Sequence, residues 1–187
     1  MPISYLNKKW EEITREERYF CAELFYEIKN DLQKDKEFLK HLKKEGLKID
    51  LAQEWDVGFE VCFYRDFLWN PKVSGGRESG FSLKRTFDLV LFSESAFIII
   101  EAKAFEGFVN KQLSSFDEDR NDVRKAIELM GKKSPQIYIL ALASSNYIKN
   151  MKEDTKKHFD LVIGWDEMTR LFKNTVFQRA NFERKHK

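Results

Sequence analysis

Glu101 and Lys103 stand two residues apart at the end of the apolar run Phe97-Ile-Ile-Ile. Alternation along a strand puts both on one face. A carboxylate and an ammonium at the end of a buried strand are costly unless partners or a metal ion accompany them. Asp88 lies upstream in Thr86-Phe-Asp-Leu-Val-Leu-Phe, with a gap of twelve residues before Glu101. A tight turn at Ser93-Glu94-Ser95 pairs residues whose numbers add to about 188, which sets Asp88 opposite Ile100 or Glu101. Two carboxylates and a lysine thus converge by local geometry alone. Close carboxylates repel, and a divalent cation relieves the repulsion. Oxygen ligands suit Mg²⁺, which takes one or two carboxylates and keeps several waters. Such an ion polarises a phosphoryl oxygen and acidifies a bound water. A lysine beside it orients that water or stabilises developing negative charge. On a strand of alternating polarity, Glu101 and Lys103 would read as a surface ion pair. The all-apolar run before them, with Asp88 opposite, argues against that.

The elements that must hold these residues are legible around them. Ile13, Phe20, Leu24 and Ile28 recur at helical spacing, which predicts an amphipathic helix over 10–30. Thr14 with Glu17 fits a capping box that starts the regular helix late. Residues 31–45 continue as helix or form a second one, with Gly46 as C-cap. Val57 to Tyr64 reads as a strand. The loop 68–82 holds Pro71, Gly75, Gly76 and Gly80. Strands follow at Thr86 to Phe92 and Ala96 to Ala102. A helix is expected from about Gly107 to Met130, broken by Ser134-Pro135. Further strands are expected at Gln136 to Ala143 and Leu161 to Gly164, and Asp166 fits the N-cap of the last helix. The hairpin implies antiparallel pairing, and the long helix after Lys103 permits a parallel crossover. The expectation is an α/β chain with an αβββαβ core and a mixed central sheet flanked by helices. It would form a single domain over 1–187, with the core at about 10–143 and a C-terminal strand and helices at about 144–180.

Asp88 followed by Glu101-Ala102-Lys103 resembles the D…(D/E)xK signature of the PD-(D/E)XK nuclease superfamily, whose restriction-endonuclease-like core is the same αβββαβ unit. The proline of the motif name is replaced by Phe87. The resemblance implies a metal-dependent nuclease that hydrolyses nucleic-acid phosphodiesters, DNA before RNA, with Mg²⁺ or Mn²⁺. It implies that Asp88, Glu101 and the Ala102 carbonyl ligate the ion, and that Lys103 positions or activates the attacking water. The superfamily often adds a glutamate from the first helix. Glu17 interrupts the apolar stripe and is the candidate, with Glu16 the alternative and a cap or rim charge the competing role. Some exonuclease-like members carry a glutamine and, four residues later, a tyrosine after the lysine. Gln112-Leu-Ser-Ser-Phe116 is similar, with Phe in place of Tyr. A degenerate member would instead be a catalytically inactive DNA-binding or assembly subunit. Small members often act as homodimers or with a partner subunit, and both stay open as partners.

Composition bounds the alternatives. The 33 Lys and Arg against 31 Asp and Glu give a formal net charge of +2, which neither demands nor excludes a polyanionic partner. Cys21 and Cys62 sit among apolar neighbours without zinc-like spacing, and His41, His158 and His186 are scattered. No Ser, Cys or His arrangement marks a covalent nucleophile. The first residues carry no basic-then-apolar signal, and no apolar run approaches a membrane span, so a cytoplasmic protein is expected. The loop Asn70 to Gly80 has residues for phosphate contact but no P-loop ending. Lys132-Lys133, Lys156-Lys157 and Arg184 to Lys187 offer a basic rim. Trp55, Trp69 and Trp165 lie near segment edges, where packing is the first expectation and base stacking the second.

Overall fold

The structure, a computed structural model, describes residues 10–68 and 84–181. The glycine-rich loop from Asn70, Trp69 and the basic run from Arg184 lie outside the described residues. Five strands form one sheet in the order β1 (Asp56–Val61), β2 (Phe87–Phe92), β3 (Ala96–Ala102), β4 (Gln136–Ala143) and β5 (Leu161–Gly164). The first three pair antiparallel, and β4 and β5 run parallel to β3. The chain is therefore α/β with a mixed sheet. Helices cover both faces, which is why Ile98, Ile99 and Ile100 are all fully buried. Leu89, Ile98, Ile100 and Leu140 pack on one side with α2 (Glu17–Gln33), α3 (Glu37–Lys44), α8 (Trp165–Phe172) and α9 (Val176–Ala180). Val90, Ile99, Ile137 and Ile139 pack on the other with α5 (Phe116–Leu129).

The expected first helix is split. A short α1 (Trp10–Ile13) precedes a break at Thr14–Glu16, and α2 begins at Glu17. The Thr14 hydroxyl accepts the Glu16 N–H at 3.2 Å, and α2 has no side-chain cap. The capping box expected of Thr14 and Glu17 does not form, because the Glu17 carboxylate is drawn to Lys103 and Ala104 instead. The second helical stretch is a separate helix, α3. Lys36 takes a left-handed φ of 55°, and the Asp31 carboxylate accepts the orphan N–H groups of Glu37 and Phe38 at 3.0 and 2.8 Å. At the far end, Gly46 has φ of 116°. Its N–H bonds to Lys43 O while Leu47 N–H bonds to Leu42 O, a Schellman closure.

Three other boundaries differ from expectation. Strand β1 ends at Val61 rather than Tyr64. Asp66 folds back, its carboxylate accepting the Cys62 N–H at 2.9 Å, and a π-helical turn follows at Tyr64–Leu68. The helix expected over 107–130 is α4 (Asn110–Leu113) and α5, parted at Ser114 and Ser115, whose hydroxyls donate back to Lys111 O and Gln112 O. Asp166 is not a cap. Gly164 occupies the N-cap of α8, its N–H held by Glu167 at 2.8 Å, while Asp166 binds Ser145 and Arg170. Two short helices, α6 (Ser145–Lys149) and α7 (Glu153–Lys156), join β4 to β5. No helix among the described residues is long and apolar enough to cross a membrane.

The Asp31 contacts satisfy donors that α3 would otherwise leave open, so Asp31→Ala should cost about 1 kcal/mol. Urea unfolding should show a lowered midpoint with an unaltered slope. An unmoved midpoint would show that the contacts carry no net stability.

Candidate active site

The β2–β3 ladder ends with the pair Leu89–Ile100, and the same register carried one residue further sets Asp88 across from Glu101. The ladder is not continued by backbone groups there. Asp88 Oδ2 instead accepts the Ala102 N–H at 2.8 Å. A carboxylate thus closes the sheet where the two strands stop pairing. Glu101 is only 3% exposed, yet both its oxygens have partners. Arg85 Nη2 donates to Oε1 at 2.9 Å and Gln112 Nε2 to Oε2 at 3.2 Å.

Lys103 is fixed at both ends. Its N–H bonds to Leu142 O at 2.7 Å, and its carbonyl accepts the Trp165 indole N–H at 3.0 Å. Its ammonium donates to Glu17 Oε1 at 3.0 Å, while Glu17 Oε2 accepts the Ala104 N–H at 3.1 Å. The first residue of α2 therefore reaches the end of β3. Trp165 is fully buried, so its edge position in the sequence does not make it a platform for bases.

The structure thus brings Asp88, Glu101, Ala102, Lys103, Glu17 and Gln112 to one end of the β2–β3 pair. Glu16 makes no side-chain contact with the cluster; it is exposed at the start of α2. Phe116, which follows Gln112 by one helical turn's spacing, is a buried core ring. Two members were missed by sequence reasoning. Arg85 chelates Asp119 with Nε at 3.0 Å from each oxygen and Nη2 at 2.7 Å, and its guanidinium lies 4.5 Å from the Phe87 ring centre. Asp119 had a signal. It interrupts the buried stripe of Phe116 and Val123 just as Glu17 interrupts that of α2. Arg85 had none, since its partner is 34 residues away.

Electrostatics follow from this crowding. Burial pushes the Glu101 carboxyl up to about 8, with Arg85 opposing and the Asp88 charge adding. Burial likewise raises Asp88, against the Ala102 N–H, and Glu17 adds to the rise. Burial lowers Lys103, but the charge and hydrogen bond of Glu17 outweigh it and hold the ammonium above its ordinary value. Cys21 lies nearby, and burial with the neighbouring acids keeps it a thiol.

The donor set fits a hard divalent ion. Four carboxylates, Glu17, Asp88, Glu101 and Asp119, face two cations, Arg85 and Lys103, which leaves two negative charges when all are ionised. Among the described residues no three His, Cys, Asp or Glu side chains are grouped to hold a metal by themselves. Mg²⁺ needs fewer, since two carboxylates with a carbonyl and waters complete its shell. A cavity of about 360 Å³ opens beside Lys103, lined by Arg15, Glu17, Phe105 and Glu106. A larger cavity of about 480 Å³ lies at the turn end of the hairpin, by Ser93 and Glu94, and offers no paired carboxylates. No family model, curated protein or solved structure matches the chain.

The raised Glu101 pKa has a sign that melts can read. The unfolded carboxyl ionises near its ordinary 4.5, the folded one only near 8. Folding therefore carries a penalty that starts above the unfolded value, grows with pH and is complete above the folded value. Without added metal, the melting temperature of Glu101→Gln relative to wild type should rise steadily between pH 5 and pH 8. A difference that stays flat with pH would show that Glu101 is not shifted.

Proposed function

We propose that the protein is a metal-dependent nuclease of the PD-(D/E)XK type, with a restriction-endonuclease-like core, that hydrolyses phosphodiester bonds, DNA before RNA. One observation carries the reading. Asp88, half-buried, and Glu101, buried, both have a raised pKa and stand across from each other at the ends of adjacent strands, where the charge of the Lys103 ammonium, itself paired with Glu17, acts on both. Acids that repel each other away from water gain from a cation, and perturbed groups of this kind cluster at functional sites. Asp88, Glu101 and the Ala102 carbonyl would hold Mg²⁺ or Mn²⁺, which when bound polarises the phosphate and acidifies a water.

The remaining work falls to side chains. Water attacks phosphorus after losing a proton to solvent, the bond to the leaving oxygen breaks and that oxygen takes a proton from solvent, and negative charge builds on the phosphoryl oxygens on the way. Lys103 is kept protonated by Glu17, so it donates hydrogen bonds rather than taking a proton. Its part is to orient the water and stabilise that charge. Glu17 positions Lys103, and Gln112 fixes the Glu101 carboxylate plane. A second reading has a specific observation behind it. Both Glu101 oxygens already hold N–H donors, as in a nuclease-like fold kept as a DNA-binding or assembly subunit without catalysis.

Cleavage of linear duplex, circular and single-stranded DNA and of RNA, with Mg²⁺, Mn²⁺ or EDTA, decides between them. Wild type should cleave at least one substrate, and EDTA should stop it. Lys103→Ala should abolish cleavage and spare DNA binding, which rests on dispersed phosphate contacts. Asp88→Asn should also abolish it, with partial rescue by excess Mn²⁺, because the loss there is of metal affinity. Binding without cleavage under every condition would favour the inactive subunit. A fully active Lys103→Ala would overturn the site assignment.

A further inference from the structure

Arg85 is the member of the cluster that the proposed reaction leaves without a task. It lies just before β2 with its side chain 20% exposed. Its guanidinium divides between two buried acids. Asp119 takes Nε and Nη2, while Glu101 receives a single contact from Nη2. The Phe87 ring beneath the guanidinium, and Phe116 with its ring centre at 5.8 Å, confine it to that plane. Each carboxylate oxygen has about two acceptor sites, so Glu101 Oε1 keeps one beside Arg85. Any cation that settles there lies close to a fixed positive charge, and like charges at contact distance in a poorly solvated site repel strongly.

We propose that Arg85 is an internal counter-cation that competes with the divalent ion for Glu101, and that Asp119 sets the strength of this competition by drawing the guanidinium aside. The inference rests on the assignment of Asp88 and Glu101 to the metal. In the metal-free protein Arg85 gives Glu101 a cationic partner beside the neutral Gln112 amide. When the ion is bound, Asp119 retains the guanidinium, so neither charge is stranded. A lysine could not do this, because one ammonium lacks the planar fork that spans two carboxylates. Arg85 is a positioning residue here, since it acts through Glu101 and touches no reacting atom.

The sign of the effect on metal affinity separates this role from others. Mn²⁺ is titrated calorimetrically into the metal-free full chain, as wild type, Arg85→Met, Asp119→Asn and the double variant, with circular dichroism confirming the fold of each. Arg85→Met should bind Mn²⁺ tighter by roughly tenfold or more once the proton that Glu101 gives up on binding is accounted for by titrating in buffers of different ionisation enthalpy. Asp119→Asn should bind it more weakly, because the released guanidinium turns wholly to Glu101. The double variant has the wild-type net charge, so a general charge effect predicts unchanged affinity. Loss of the competing donor predicts tighter binding than wild type. If Arg85→Met fails to fold, Asp119→Asn still decides, since unchanged or tighter binding there overturns the proposal. Wild-type or weaker affinity in the double variant overturns it too, while leaving the metal assignment standing. Absence of any Mn²⁺ binding by folded wild type overturns the metal assignment and this inference together.

Discussion

Putting a carboxylate into a protein interior carries a large desolvation cost, and this chain does so at Glu101 and Asp119, with the half-buried Asp88 beside them. Every local peculiarity of the site offsets that cost in some way. The Ala102 N–H caps Asp88, Gln112 and Arg85 hold Glu101, and Arg85 chelates Asp119. None of these contacts cancels the excess of negative charge. With all four acids ionised, Arg85 and Lys103 leave two negative charges at this end of the sheet, the imbalance that the proposed divalent cation would relieve.

The sheet is what makes the gathering possible. Parallel pairing of β3 with β4 puts Lys103 N–H on Leu142 O, and α8 returns Trp165 to hold the Lys103 carbonyl. Lys103 is therefore anchored by elements from the far end of the chain, although its chemistry reads locally. Glu17 makes the opposite connection, from α2 to the strand end. The same residue that fails to cap its own helix fixes the ammonium, an exchange of local helix stability for a tertiary contact.

The parts of this arrangement that were legible in the sequence share one property: they depend on short-range geometry. Asp88, Glu101 and Lys103 converge through one hairpin; four residues, 93–96, separate the paired Phe92 and Phe97, so the register is one residue off that expected of a three-residue turn, yet it still sets Asp88 across from Glu101. Strand β3 was plain because three isoleucines in a row have no place on a half-exposed strand. Glu17 and Asp119 both interrupt apolar stripes, but only Glu17 has a counterpart in the strand motif, while the partner of Asp119, Arg85, lies outside it. Arg85 was illegible because its meaning comes from Asp119, brought to it by packing of α5 on the sheet. The ends of β1 and of the helix after Lys103 were misjudged for a different reason. Asp66, Ser114 and Ser115 use their side chains to satisfy nearby backbone groups, and such contacts override the apolar pattern.

The central claim is that Asp88 and Glu101 form a divalent-cation site with Lys103 facing it. Anomalous diffraction from crystals of the protein grown with Mn²⁺ tests this most directly. The account predicts a single strong peak bridged by the Asp88 and Glu101 carboxylates, close to the Ala102 carbonyl, with Lys103 Nζ turned toward a water on the ion. An empty cleft with Arg85 still bound to Glu101, or manganese found only at surface carboxylates, would contradict it.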